Sequence, residues 1–250
     1  MATFVLVHGA FIGGWAWRRL TPLLTAAGHD VWTPTLTGAG ERAHLLTPGI
    51  GLSTNIQDIV SVLEYEDLRD VILVGHSYGG MVITGVADRA RERIAELVYL
   101  DAHVPENGQN AMGALTEGTS EKLEDMSGGP AADEQGPRLL PALSPELLGI
   151  VEPEQQAWVA PRLRAHAMKC LEEPLFLEHG EPAMPRSYVL CTDRQKLVDF
   201  FKVDPLSTFV DKARRDGFRF HEIPSGHTPM ISHPRELAAI FSAIAAAPAR

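Results

Sequence analysis

Apolar residues fall along this chain in two alternating patterns. Short unbroken runs at Thr3-Phe4-Val5-Leu6-Val7, Val71-Ile72-Leu73-Val74 and Leu97-Val98-Tyr99-Leu100 read as strands buried on both faces. Between them apolar residues recur at helical spacing. Leu20 to Ala27 predicts a helix that Gly28 stops, and Ile56, Ile59, Val60 and Leu63 predict another, capped by Ser53. A further strand is expected over residues 29–34, around Val31 and Trp32, and a helix through Val82, Ile83 and Val86. Strands that alternate with helices imply parallel strands joined by helical crossovers, hence an α/β fold with a mostly parallel central sheet and helices on both faces.

The pattern changes between Glu106 and about Pro185. Gly-Gly-Pro, repeated prolines and many acidic residues interrupt two short helical patterns, one near Pro145 to Ile150 and one from Glu154 to Leu171. No strand is predicted there, and Thr116 to Gly136 is expected to be mobile. The segment reads as an inserted helical cap, residues 106–185, on a core made of residues 1–105 and 186–250. Strand character resumes at Ser187-Tyr188-Val189-Leu190-Cys191. A helix is predicted over Leu206 to Arg215 and a last strand over Phe218 to Ile223. A closing helix from Pro234 follows, with Ser232 or His233 at its cap.

Composition narrows the function. A chain of 250 residues is long enough for one well-buried core. Its formal net charge of −10 argues against nucleic acid and anionic membrane surfaces as partners. Cys170 and Cys191 have neither metal-ligand spacing nor the look of a disulfide framework, and no secretory leader or membrane-spanning run is evident, so a cytoplasmic location is expected. There is no internal repeat, and nothing excludes a homo-oligomer.

The stretch Val71 to Val82 carries the chemistry. Gly75-His76-Ser77-Tyr78-Gly79 is Gly-x-Ser-x-Gly between a buried strand and a helix, the context of a nucleophile elbow. The turn lifts Ser77 to its tip and brings strand and helix backbones so close that side chains at Gly75 or Gly79 would clash. The Tyr78 amide, at the helix start, is one candidate oxyanion donor. The Ala10 amide, in the loop His8-Gly9-Ala10-Phe11-Ile12-Gly13-Gly14, is the other. A serine hydroxyl needs a base, and His227, after the last strand in Pro224-Ser225-Gly226-His227, is better placed than His221 or His233. Two aspartates compete to orient it. Asp101 and Asp193 each follow a strand, and each keeps the order Ser, Asp, His.

At this point the chain resembles the α/β-hydrolase superfamily, in the branch of plant methylesterases, hydroxynitrile lyases and related bacterial esterases. The resemblance covers roughly the first hundred and the last sixty residues. It rests on Phe4-Val5-Leu6-Val7-His8-Gly9-Ala10 with Gly13-Gly14-Trp15, on Gly75-His76-Ser77-Tyr78-Gly79-Gly80, and on Gly226-His227-Thr228-Pro229-Met230. It implies Ser77 as nucleophile, His227 as base and the amides of Ala10 and Tyr78 as oxyanion hole. Hydroxynitrile lyases of the branch carry a threonine after the first-loop histidine and a lysine after the catalytic one. Gly9 and Thr228 stand there instead, which favours the esterase side. Tyr99-Leu100-Asp101-Ala102 resembles the segment in which some haloalkane dehalogenases place their acid, which tilts the choice towards Asp101 while Asp193 stays a candidate.

The expectation is therefore a cofactor-free and metal-free carboxylic ester hydrolase acting through an acyl-enzyme on Ser77. Phe11, Ile12, Tyr78, Trp158 and Met168 are candidate walls of an apolar pocket, which suggests a hydrophobic or aromatic small-molecule ester. Two other functions are compatible with the same residues: a lyase or polyketide-type tailoring enzyme on this fold, and a non-catalytic small-molecule receptor.

Overall fold

The computed structural model describes residues 1–128 and 136–247. The chain opens with β1 (Thr3–Val7), α1 (Thr21–Ala26), β2 (Asp30–Trp32), α2 (Leu52–Tyr65), β3 (Val71–His76), α3 (Gly79–Arg89) and β4 (Ile94–Leu100). An insertion follows, carrying α4 (Ala111–Ala114), α5 (Glu117–Met126), β5 (Leu139–Leu140), α6 (Pro153–Val159), β6 (His166–Ala167) and α7 (Met168–Glu172). The chain then returns to the sheet with β7 (Arg186–Cys191), α8 (Gln195–Phe201), α9 (Ser207–Arg215) and β8 (Arg219–Ile223). It closes with α10 (Pro229–Ser232) and α11 (Pro234–Ala246).

Six strands form one sheet in the order β2-β1-β3-β4-β7-β8, and every neighbouring pair is parallel. The unbroken apolar runs are its centre, as strands covered on both faces require: all six residues of β3 are buried. The registers Val7↔Gly75, His76↔Leu100, Leu100↔Val189 and Cys191↔Ile223 bring the carboxyl ends of β1, β3, β4, β7 and β8 to one edge. The loops carrying Ala10, Ser77, Asp101, Asp193 and His227 all leave from that edge, where ligands bind in open parallel sheets.

The insertion departs from its sequence pattern in four ways. It does contain strands: β5 and β6 pair antiparallel, Leu139 with Ala167 and Leu140 with His166. Two residues per strand are too few to show an alternation. Within the stretch expected to be mobile, residues 117–126 form helix α5, whose Thr119 and Leu123 are buried, while residues 129–135 lie outside the described part. Residues 145–149 are turns rather than a helix. The helix expected from Glu154 to Leu171 is broken into α6, a tight turn at Ala160–Arg162 containing Pro161, strand β6 and α7. Pro161 has no amide hydrogen with which to continue a helix.

At α2 the residue preceding the helix is Gly51, so Ser53 lies inside the first turn and does not cap it. The Glu173 carboxylate lies against Gly51 instead, which puts negative charge at the positive end of the helix. No helix among the described residues is long and apolar enough to cross a membrane. Both cysteines are free and buried.

Candidate active site

The elbow is held by close backbone contact. A Cβ on Gly75 would lie 2.5 Å from the Gly79 carbonyl oxygen, and one on Gly79 would lie 2.8 Å from that of Val7, so only glycine fits at either place. Ser77 adopts φ 54° at the tip. Its amide donates to the Leu100 carbonyl at 3.2 Å, and its own carbonyl accepts from Gly80 N at 3.0 Å and His103 N at 3.1 Å. Phe11 and Asp101 also have positive φ, 69° and 43°. Such conformations cost on the order of 1–3 kcal/mol each and persist where the surroundings enforce them. Here three of them gather at one sheet edge.

His227 Nδ1 lies 2.7 Å from Asp101 Oδ2. A carboxylate can only accept, so Nδ1 carries the proton and Nε2 is left to receive another. Asp101 is fully buried and His227 nearly so. The other Asp101 oxygen accepts from Arg194 Nη1 at 2.9 Å and from the Cys191 amide at 3.4 Å, and Arg194 in turn donates to Asp204 at 2.6 Å. Burial works against the Arg194 charge, but Asp101 and Asp204 outweigh it and hold the guanidinium protonated. Asp193 is exposed, and its amide donates to the Ser225 carbonyl at 3.0 Å. Of the two aspartates that follow strands, Asp101 is the one in contact with the imidazole.

Four further histidines are buried nearby. His8 donates from Nδ1 to the Gly9 carbonyl at 2.8 Å and accepts the Leu36 amide on Nε2 at 3.0 Å. It is thus a neutral strut under the loop carrying Ala10, and burial lowers its pKa to about 4. His76 Nε2 donates to the His227 carbonyl at 2.7 Å, tying the elbow to the loop of the base. Burial, reinforced by His227, puts its pKa well below the usual range. Burial likewise lowers His103 and His166 to about 3.

Ser77 and His227 border one cavity of about 90 Å³, together with Ala10, Phe11, Ile12 and Tyr78. No hydrogen bond joins serine and imidazole there, a looser arrangement common before substrate binds. Neither the Ala10 nor the Tyr78 amide donates a hydrogen bond within the described residues. Tyr78 is well suited to act through its amide, because its hydroxyl is engaged by Asn55 Oδ1 at 2.9 Å.

Phe11, Ile12 and Tyr78 line the cavity, whereas Trp158 and Met168 do not. Trp158 packs edge-on against Trp15 with centroids 5.2 Å apart, and Arg19 and Arg162 lie over its ring. Met168 is fully buried in the core. The remaining wall comes from residues without a sequence signal, chiefly Leu115, Leu123, Leu143 and Leu148 of the insertion and Leu197 and Phe201 of α8. Isolated leucines in a segment rich in loops give no periodicity to read. Among the described residues no group of three or more His, Cys, Asp or Glu side chains is placed to hold a metal ion.

The sheet, the elbow and the His227–Asp101 pair are the parts of a serine-hydrolase-type esterase. The sequence model of the alpha/beta hydrolase family matches residues 4–240, and the chain belongs to that family. It is 41% identical over 249 residues to the carbendazim hydrolyzing esterase of a Nocardioides species, an alignment covering 98% of this chain and 100% of the relative. It is 29% identical to salicylic acid-binding protein 2 of Nicotiana tabacum, over 80% of this chain and 82% of the other. Among solved structures, an extracellular alpha/beta-hydrolase from a Paenibacillus species superposes with a TM-score of 0.79 at 22% identity, covering 97% of this chain and 98% of that one. Polyneuridine aldehyde esterase superposes with a TM-score of 0.74 at 23% identity, with the same coverage. These two structural likenesses bear on the fold.

Proposed function

We propose that the protein hydrolyses a small carboxylic ester of hydrophobic character through an acyl-enzyme on Ser77. The observation that carries the assignment is the 2.7 Å contact between His227 Nδ1 and the buried Asp101, beside a strained glycine-flanked serine on the same cavity. Ser77 Oγ attacks the ester carbonyl carbon while His227 Nε2 takes its proton. The amides of Ala10 and Tyr78 bind the oxygen that becomes negative, and loss of one such donor commonly costs on the order of a hundredfold in turnover. The imidazolium then protonates the departing alcohol. Water, deprotonated by His227, clears the acyl group. Asp101, paired with Arg194, keeps the imidazole in the tautomer that both steps need.

The apolar wall supports an ester with little polar surface. A cavity of about 90 Å³ is smaller than the roughly 150 Å³ that admits benzene. A ring-bearing substrate therefore needs the insertion's lining leucines, Leu115, Leu123, Leu143 and Leu148, to give way. The relative that hydrolyses carbendazim makes that compound the first to assay after simple esters.

A panel of p-nitrophenyl esters of rising acyl length tests the proposal. Wild-type protein should release p-nitrophenol with saturation kinetics, and Ser77→Ala and His227→Ala should abolish it. Binding of such esters without turnover would point to a receptor, and turnover independent of Ser77 would remove the mechanism.

A further inference from the structure

His103 lies two residues beyond Asp101 and has no part in the steps above. Its backbone is locked against the elbow. The amide donates to the Ser77 carbonyl at 3.1 Å, and its carbonyl oxygen would lie 2.0 Å from any Cβ at position 80, which is Gly80. Its ring stacks on Phe209 of α9, centroids 4.5 Å apart and planes 15° from parallel. The residue is only 6% exposed, yet it borders the same cavity as Ser77 and His227. Nδ1 is wholly buried with no hydrogen-bond partner, and the ring makes no hydrogen bond to any described residue.

A buried polar group left unpaired forfeits the hydrogen bond it had to water. The neighbouring histidines avoid that cost in part or whole: His8 bonds through both nitrogens, His76 holds a carbonyl, and His227 holds Asp101. His166 and His76 also have an unpartnered nitrogen, but His166 does not border the cavity and His76, which does, is bonded through its other nitrogen to the His227 carbonyl. The cavity that His103 borders is lined mostly by apolar side chains, Leu115, Leu123 and Leu206 among them. Burial keeps the ring neutral, with a pKa of about 3. A neutral imidazole has one donor and one acceptor nitrogen. With Nδ1 enclosed and unpartnered, we place the hydrogen on Nε2.

From this arrangement we infer that His103 is a specificity-determining residue whose Nε2–H donates a hydrogen bond to an acceptor atom of the substrate, a carbonyl, ether or aromatic ring nitrogen close to the scissile ester. The inference rests on the esterase reading and adds to it that the preferred ester, although apolar over most of its surface, carries one acceptor. A site built to bond a polar atom rejects the analogue lacking it far more strongly than an apolar pocket rejects a missing methylene.

The test uses two matched pairs of esters, one for each side of the scissile bond. On the acyl side, 4-nitrophenyl 4-oxopentanoate is compared with 4-nitrophenyl pentanoate. On the alcohol side, pyridin-3-yl acetate is compared with phenyl acetate. The readout is the ratio of kcat/KM within each pair, because differences in intrinsic reactivity cancel when that ratio is compared between proteins. In at least one pair the ratio should fall about tenfold or more in His103→Phe, which can stack on Phe209 but has no donor. His103→Gln, which keeps an N–H donor, should restore part of it. Ratios unchanged in both pairs would overturn the inference while leaving the esterase intact. Hydrolysis of none of the four esters would contradict the esterase reading and take this inference with it. If His103→Phe fails to fold, long-range proton–nitrogen spectra of the wild-type protein decide: the Nε2–H tautomer at His103 is expected, and Nδ1–H would overturn the assignment.

Discussion

Asp101 and Asp193 illustrate how much one residue's surroundings decide. Both follow strands that are neighbours in the sheet, β4 and β7, so both start close to the loop of His227. Only Asp101 turns inward, at φ 43°, to meet the imidazole, while Asp193 stays in solvent. Asp101→Asn should lower kcat by a factor on the order of 10³ to 10⁴, because an amide in that place favours the wrong imidazole tautomer. Asp193→Asn should leave kcat within about twofold. Steady-state kinetics on the two variants separates them, and the reverse order would shift the acid to Asp193. Arg194→Met should leave a buried carboxylate with one charged partner fewer and lower stability by roughly 3 kcal/mol, visible in urea titration. At this scale the serine and the base were legible from the sequence, because glycine spacing and position after a strand mark them. The acid was legible only as a pair of candidates, since burial is not written in a strand-end aspartate. His103 gave no signal at all, its cue being a nitrogen without a partner.

Elements are bound to the site through backbone contact as well as side chains. Gly149, in the turns of the insertion, packs on Gly226, the residue before His227. With φ +83°, a Cβ on Gly149 would lie 2.5 Å from the Gly226 Cα, and one on Gly226 would lie 2.4 Å from the Gly149 Cα. Thr228 Oγ1 reinforces the joint by donating to the Leu148 carbonyl at 2.8 Å. The insertion therefore positions the loop of the base as well as covering the cavity. Gly149→Ala should displace that loop, destabilise the protein by about 1–3 kcal/mol and lower kcat more than it raises KM. Thermal melts with parallel kinetics check both, and a variant with unaltered melting and kcat would contradict the joint. The core elements were readable because the central strands β1, β3, β4 and β7 are buried and leave apolar runs. The insertion was not, because its helices are short, Pro161 breaks one pattern and β5 and β6 are two residues each.

For the whole molecule, the buried histidines set an acid limit. His8, His103 and His166 are held neutral, with pKa values near 4, 3 and 3 against 6.5 when unfolded. Between those values the unfolded chain binds more protons than the folded one, so stability falls as pH falls. It is at its full value above about pH 6.5 and declines towards pH 4, each histidine adding to the loss. Melting temperature should drop steeply over that window, and a flat profile between pH 6.5 and 4.5 would contradict the neutral cluster. Of these three histidines, His103 borders the cavity of Ser77, and the mechanism stands on that serine being the nucleophile. Intact-mass and peptide analysis after treatment with a fluorophosphonate probe is the most direct measurement. It should find one adduct, on Ser77, formed rapidly in wild-type protein, slowly in Asp101→Asn and not at all in Ser77→Ala. Folded wild-type protein that takes up no probe, or takes it up at another residue, would contradict the assignment of this site.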